Sequence, residues 1–214
     1  MRLEDPRGIW VKVDGVTRVE DVAAACDAGV SAIGMIFAIS PRRLTLGQAS
    51  RIREALPDGV SAFGVFDATS PGAVLRAVSS LSLDGVQVPA ELQLERPGYP
   101  ELPAGVVVLR TVRVRGPQDL QGLESLDCHA VHLDAYVEGL LGGTGHTAPW
   151  EDIEAVRPAV PWVLSGGLTA DNVAEGISRL GPDGVDVSSG VESSPGVKDA
   201  EKLSAFVSAA RAGA

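Results

Sequence analysis

Residues 161–192 constrain the fold most, because they repeat one design twice. Two apolar runs of strand length, 162–164 and 185–187, each end in serine and glycine where a loop must begin. Glycine has no Cβ, so the backbone there can take unusual dihedrals and bring its N–H groups close to an anion. Between the runs, residues 169–180 begin with a capping threonine, carry an acid in the first turn and repeat apolar residues at helical spacing. The unit predicts strand, glycine loop, helix, strand, glycine loop. In a (β/α)8 barrel the loops after the last two strands commonly bind phosphate, helped by the N-terminus of a short extra helix. Ser165, Gly166, Gly167, Ser188, Ser189 and Gly190 are therefore candidate phosphate ligands. Glycines that only make tight turns are the plain alternative; a lone glycine loop is a weak signal, two in tandem a stronger one.

The rest of the chain keeps this cadence. Strands are expected at 9–13, within 30–39, and at 60–66, 85–88, 106–111 and 129–134. Helices are expected from Thr17 to Gly29 and at 45–56, 70–80, 117–126, 149–156 and 199–210. The proline-rich stretch 89–103 predicts a short helix or none, and 138–147 a glycine-rich loop. Strict alternation implies a parallel sheet, and eight strands at so regular a spacing favour a closed (β/α)8 barrel over an open, doubly wound sheet. With 214 residues, against about 250 for a typical barrel, the loops must be short. No linker, charge run or low-complexity block splits the chain, so one domain over residues 1–214 is expected.

Composition narrows the partners. A formal charge of −10 and only three lysines, Lys12, Lys198 and Lys202, argue against a nucleic-acid partner. The sequence has no uncharged apolar run long enough to span a bilayer, and its N-terminus lacks the apolar core of a signal peptide. A cytoplasmic protein with no membrane partner is expected. Cys26 and Cys128 form neither a disulfide framework nor a metal spacing and read as buried thiols.

In such barrels the reactive groups project from the C-terminal ends of the strands. That rule selects Asp14, Arg42, Asp67, Gln87, Arg110 or Arg113, Asp134 and the tandem loops. Asp14 closes the first strand and Asp134 the sixth, roughly across the mouth from one another, with room for a sugar between. Two carboxylates can divide acid and base duties when their surroundings separate their pKa values. Lys12 shares a strand face with Asp14 and is expected to favour its ionised form, making Asp14 the base; Asp134 would then hold the proton. Either aspartate could instead merely cap an element. His132 shares a face with Asp134, but a divalent metal needs three or four ligands; His129 points the other way and His146 sits in a loop. No metal is expected, and His132 reads as an interior or supporting residue.

These residues bring a resemblance into view. Val11-Lys-Val-Asp-Gly-Val-Thr17 with Glu20-Asp21, Ala32-Ile-Gly-Met-Ile-Phe37 with Ser40-Pro-Arg42, Gly64-Val-Phe66 and Val86-Gln87 cover the first half. Leu133-Asp134, Gly142-Gly-Thr-Gly145 with Trp150, Leu164-Ser-Gly-Gly-Leu168 with Asn172-Val173, and Asp186-Val-Ser-Ser-Gly-Val-Glu192 with Pro195-Gly196 and Lys198-Asp199 cover the second. In this order and spacing, along nearly the full length, the chain resembles the phosphoribosylanthranilate isomerase family of tryptophan biosynthesis. The resemblance implies a (β/α)8 barrel and a cofactor-free Amadori rearrangement of an aminoaldose phosphate to an aminoketose phosphate. By analogy Asp134 protonates the furanose ring oxygen and residue 14 removes the proton from the second sugar carbon. Arg42 matches the residue that contacts the anthranilate carboxylate, and Gly166, Gly167, Ser189 and Gly190 match the phosphate cradle. Gly143 and Gly145 join the phosphate candidates, and Lys12 and Gln87 join Arg42 as candidate substrate contacts.

The chain departs from the family at two places. The family's base is the cysteine of a Lys-x-Cys-Gly motif, and here Asp14 stands in its place. The family's strand-four motif Gln-Leu-His-Gly becomes Gln87-Val88-Pro89-Ala90. An aspartate base is chemically sound, since the histidine-pathway isomerase is similar in using an aspartate pair for the same rearrangement. The expected substrate is N-(5-phosphoribosyl)anthranilate or a related phosphoribosyl-aminobenzoate, handled by a monomer or homodimer. The alternatives are the histidine-pathway reaction, which needs a second glycine-rich cradle after strands three and four, a metal-dependent pentose-phosphate epimerase, and a silent sugar-phosphate-binding homologue.

Overall fold

The computed structural model describes residues 3, 5–67, 71–94, 101–135 and 150–214. Eight parallel strands close into a barrel in chain order: β1 (Trp10–Asp14), β2 (Ala32–Ile36), β3 (Ser61–Val65), β4 (Gly85–Pro89), β5 (Val107–Val114), β6 (Ala130–Ala135), β7 (Trp162–Ser165) and β8 (Gly184–Val187). β8 pairs back onto β1, with Lys12 beside Asp186. Helices α1 (Val19–Ala28), α2 (Leu46–Ala55), α3 (Pro71–Leu81), α4 (Trp150–Val156), α5 (Val173–Leu180) and α6 (Ala200–Ala212) follow β1, β2, β3, β6, β7 and β8.

The strands are buried on both faces, as parallel strands covered by helices must be. Alternate residues split between two cores. Val11, Val13, Ile33, Met35, Val131, Leu133, Leu164 and Val185 face outward and pack under the helices. Trp10, Ala32, Phe63, Val107, Leu109, Ala130 and Val163 form a separate cluster that fills the lower interior. Trp10 and Phe63 meet edge to face, ring centres 5.7 Å apart, and glycines on the neighbouring strands at 184 and 85 leave the space those rings occupy. Two large aromatics each stabilise this layer by about 2–3 kcal/mol through burial.

Inward positions above that layer are polar. The same alternation that points Trp10 inward also points Lys12 and Asp14 inward. On the other strands it brings Gln87, Thr111, His132, Asp134, Ser165 and Asp186 to the interior or the mouth.

The structure differs from expectation in several places. Residues 117–126 form two 3-10 turns, Pro117–Leu120 and Leu123–Ser125, rather than an α-helix. Leu120, Leu123 and Leu126 recur every three residues, the period of a 3-10 turn, and Gly122, with φ of 72°, separates the two. α1 starts after Arg18, because Thr17 Oγ1 donates to the Gly196 carbonyl at 2.6 Å instead of capping. α5 starts at Val173, since residues 169–172 form a side-chain-braced turn. A small antiparallel pair, β9 (Glu192–Ser194) and β10 (Val197–Lys198), folds back across the Pro195-Gly196 turn. The glycine-rich stretch 138–147, with Gly143, Gly145 and His146, lies outside the described residues. Among the described residues no helix is long and apolar enough to cross a membrane.

Candidate active site

The C-terminal mouth of the barrel sits on a buried ionic cluster. Lys12 has no solvent exposure, and its ammonium group contacts Asp14 Oδ1, Asp186 Oδ2 at 2.8 Å and Gln87 Oε1 at 2.7 Å. Hydrogen bonds to Gln87 and Asp186 and an ion pair with Asp14 surround the ammonium, so a cation that would be prohibitive alone is paired. Asp186 Oδ2 also meets His132 Nε2 at 2.8 Å, and His132 Nδ1 lies 3.5 Å from Thr111 Oγ1. Lys12 and Gln87, expected as substrate contacts, are thus placed beneath the mouth and tied to its acids. Among the described residues no three His, Cys, Asp or Glu side chains gather to hold a metal ion.

This cluster sets the acids apart. Burial pushes Asp14 up, the Asp186 carboxylate pushes it further, and Lys12 pulls it down by less, leaving its pKa at about 6. Lys12 acts in the expected direction, toward the ionised form of Asp14, while burial and the second carboxylate outweigh it. Asp186 takes the opposite direction. Burial alone would raise it, but Lys12 and His132 together bring it down to about 2. Asp134, in register with Ser165 on β7 and Arg113 on β5, is pushed above the usual carboxylate range chiefly by burial, with His132 and Arg113 partly offsetting this. Both candidate acids are thus shifted in the same direction, toward holding a proton, with burial the first cause at each.

The tandem glycine loops pack on one another. Gly166 and Gly167 have φ of 91° and 66°, left-handed values that a side chain would strain. Gly190 lies against the Leu168 carbonyl, which a Cβ would overlap. Asn172 braces the first loop, accepting from Thr169 N at 2.8 Å and donating to the Gly167 carbonyl at 3.0 Å. Ser189 and Gly190 form a 3-10 turn with Val191, in the place expected for a short extra helix. Ser188 is already engaged: its hydroxyl donates to the Asp14 carbonyl at 3.2 Å, and its own carbonyl accepts from Lys198 Nζ at 3.0 Å. Ser165 is buried at the end of β7.

Arg42 enters the mouth from the loop after β2 and pairs with Glu192, Nε to Oε1 at 2.7 Å and Nη2 to Oε2 at 2.5 Å. Glu192 also accepts from Lys198 Nζ at 2.9 Å. Asp67 braces the same loop by accepting from Ile39 N at 3.1 Å. Arg110 lies outside the barrel wall, donating to the backbone carbonyls of Leu92, Pro89 and Asp127.

Asp186 and Glu192 are the site residues that the sequence reading left without a role. A charge in the middle of an otherwise apolar strand, in phase with Gly184, was the available signal for Asp186. Glu192 carried none beyond its family motif.

A closed parallel barrel with buried acids of opposed tendency at its C-terminal mouth, beside paired glycine loops, is the architecture of a (β/α)8-barrel enzyme working on a small anionic substrate. The comparisons place it more closely. The family model for N-(5'phosphoribosyl)anthranilate (PRA) isomerase matches residues 11–209. The N-(5'-phosphoribosyl)anthranilate isomerases of Rubrobacter xylanophilus and Thiobacillus denitrificans are each 42% identical, covering 94% and 95% of this chain and 98% of each relative. The crystal structure of phosphoribosyl anthranilate isomerase from Thermotoga maritima superposes with a TM-score of 0.83 at 31% identity, over 94% of this chain and 98% of that one. The chain belongs to the phosphoribosylanthranilate isomerase family.

Proposed function

We propose that this chain catalyses the Amadori rearrangement of N-(5-phosphoribosyl)anthranilate, or of a closely related phosphoribosyl-aminobenzoate, with Asp134 as general acid and Asp14 as general base. The observation that carries the reading is the pair itself: Asp14, buried at the end of β1, and Asp134, half-buried on β6, both facing the same mouth with pKa values raised by burial. In the first step protonated Asp134 gives its proton to the furanose ring oxygen. The bond from that oxygen to C1 breaks, and the nitrogen lone pair forms the C1 iminium. Ionised Asp14 then takes the proton from C2, and the C–H electron pair neutralises the iminium to give an enolamine. The enolamine tautomerises to the ketone, and proton exchange with water returns both acids to their starting states.

The remaining roles follow the mouth. Gly166, Gly167, Ser189 and Gly190, with Ser165, Ser188, Gly143 and Gly145, cradle the phosphate, and Arg42 meets the aromatic carboxylate. Lys12 and Gln87 serve the substrate from below, through Asp14. A relative 30% identical to this chain, with a TM-score of 0.79, was solved with reduced 1-(o-carboxyphenylamino)-1-deoxyribulose 5-phosphate, a ligand with both a phosphate and an aromatic carboxylate. We place the protein in the cytoplasm as a one-domain monomer or homodimer that acts without cofactor, nucleic acid or membrane.

The test is turnover by purified protein of phosphoribosylanthranilate, followed by anthranilate fluorescence, beside turnover of the bisphosphorylated histidine-pathway precursor, followed by chromatography of its product. The reading expects turnover of the first and none of the second. Binding of phosphoribosylated ligands with no turnover above buffer would instead establish a silent binding homologue.

A further inference from the structure

Arg42 is held from two sides. Its aliphatic stem crosses Gly15, where a Cβ would overlap Arg42 Cδ. Its fork is gripped by Glu192 through Nε and Nη2 in a bidentate pair, the geometry that fixes a guanidinium in orientation as well as position. Glu192 is in turn fixed. Oε1 accepts from Lys198 Nζ at 2.9 Å and from Gly196 N at 3.2 Å, and its backbone carbonyl accepts from Lys202 Nζ at 2.8 Å. The strand register that sets Lys198 opposite Glu192 comes from the β9–β10 pair. Arg42 and Lys198 carry two positive charges against one negative on Glu192, so this triad keeps one net positive charge at the rim of an otherwise acidic site.

We propose that Glu192 is a positioning residue for recognition of the aromatic carboxylate: it holds Arg42 by its Nε–Nη2 edge so that the Nη1 edge is left for the ligand, while Lys198 neutralises Glu192 itself. The inference rests on the functional reading above, in which Arg42 meets that carboxylate. It assigns the tight Arg42–Glu192 pair a role in specificity. Without the grip, the long arginine side chain would sample several rotamers and lose orientational preference for a planar carboxylate.

The experiment compares two ligands by calorimetry on the intact protein. One is reduced 1-(o-carboxyphenylamino)-1-deoxyribulose 5-phosphate; the other is its phenylamino analogue without the carboxylate. Wild type should prefer the first by about tenfold or more, the scale of a charged hydrogen-bonded contact. Glu192→Gln should lose most of that preference while binding the carboxylate-free analogue within about twofold of wild type. Arg42→Ala should lose the preference too, and the double variant should lose no more than either alone, since Glu192 acts through Arg42. Glu192→Asp keeps the counter-charge for Lys198 but withdraws it from the fork, and gives the same loss if Glu192→Gln is too unstable to assay. Retention of the wild-type preference, or equal weakening of both ligands, overturns the assignment. A wild-type protein that binds neither compound overturns the isomerase reading, and the assignment with it.

Discussion

The carboxylate of Asp14 lies directly over Gly34 of β2, its register partner across the strand pair, so that a Cβ at position 34 would occupy the place of Asp14 Oδ1. The carboxylate is therefore aimed by an empty space on the neighbouring strand as well as by Lys12 below. Gly34→Ala should displace the carboxylate by about 1 Å and lower kcat by on the order of 10²-fold, with KM changed much less. Unchanged kcat in a folded Gly34→Ala protein would show that the carboxylate position is not set there.

The pH profile follows from the two acids. As the proposed base Asp14 is needed ionised, and its pKa is raised to about 6, so kcat/KM should climb through that value and fall about tenfold per unit below it. The proposed acid Asp134 is needed protonated, so its titration sets the alkaline limb, which burial moves upward from the ordinary carboxylate position. Lys12→Met removes the cation that pulls Asp14 down, so the acid limb should move to higher pH. An acid limb near the ordinary aspartate value of about 4 in wild type would contradict the assignment of Asp14.

Asp186 predicts a stability effect. Its pKa is lowered to about 2, so its contribution is present above the ordinary aspartate value and is lost as pH falls toward 2. Asp186→Asn leaves His132 and Lys12 facing a neutral amide, and breaking a buried pair of this kind costs about 3–5 kcal/mol. For a chain of this size the melting temperature should drop on the order of 10 °C. A change within about two degrees would mean that Asp14 and Gln87 suffice to hold Lys12.

Gly190→Ala tests the loop pair. The new methyl would meet the Leu168 carbonyl, a backbone group that cannot swing aside. Destabilisation of about 1–3 kcal/mol is expected for such overpacking, together with a higher KM for the phosphorylated substrate. A KM equal to wild type would remove this loop from phosphate binding.

Much of the barrel was legible because parallel strands buried on both faces read as short apolar runs, and Val11, Ile33, Val86 and Val163 all fall in such runs. Asp14 and Asp134 stood out as candidates for the same reason in reverse: an acid at the end of a buried strand either caps an element or faces the mouth. The 3-10 turns at 117–125 were not, since Leu120, Leu123 and Leu126 fit a helical template over so few residues. The sign of the balance at Asp14 was also out of reach. It depends on how close Asp186 of β8 comes to β1, a distance of 172 residues in sequence that only barrel closure removes. Arg42 was singled out as a candidate by its motif, whereas its pairing with Glu192 depends on the β9–β10 hairpin, of which the sequence shows only a Pro-Gly turn.

The central claim is that Asp14 and Asp134 share the proton traffic of one isomerisation. The most direct measurement is kcat for Asp14→Asn and Asp134→Asn on phosphoribosylanthranilate, with melting curves to show that each variant is folded. Each should fall by about 10²-fold or more. A folded variant of either residue that turns over at the wild-type rate would contradict the account.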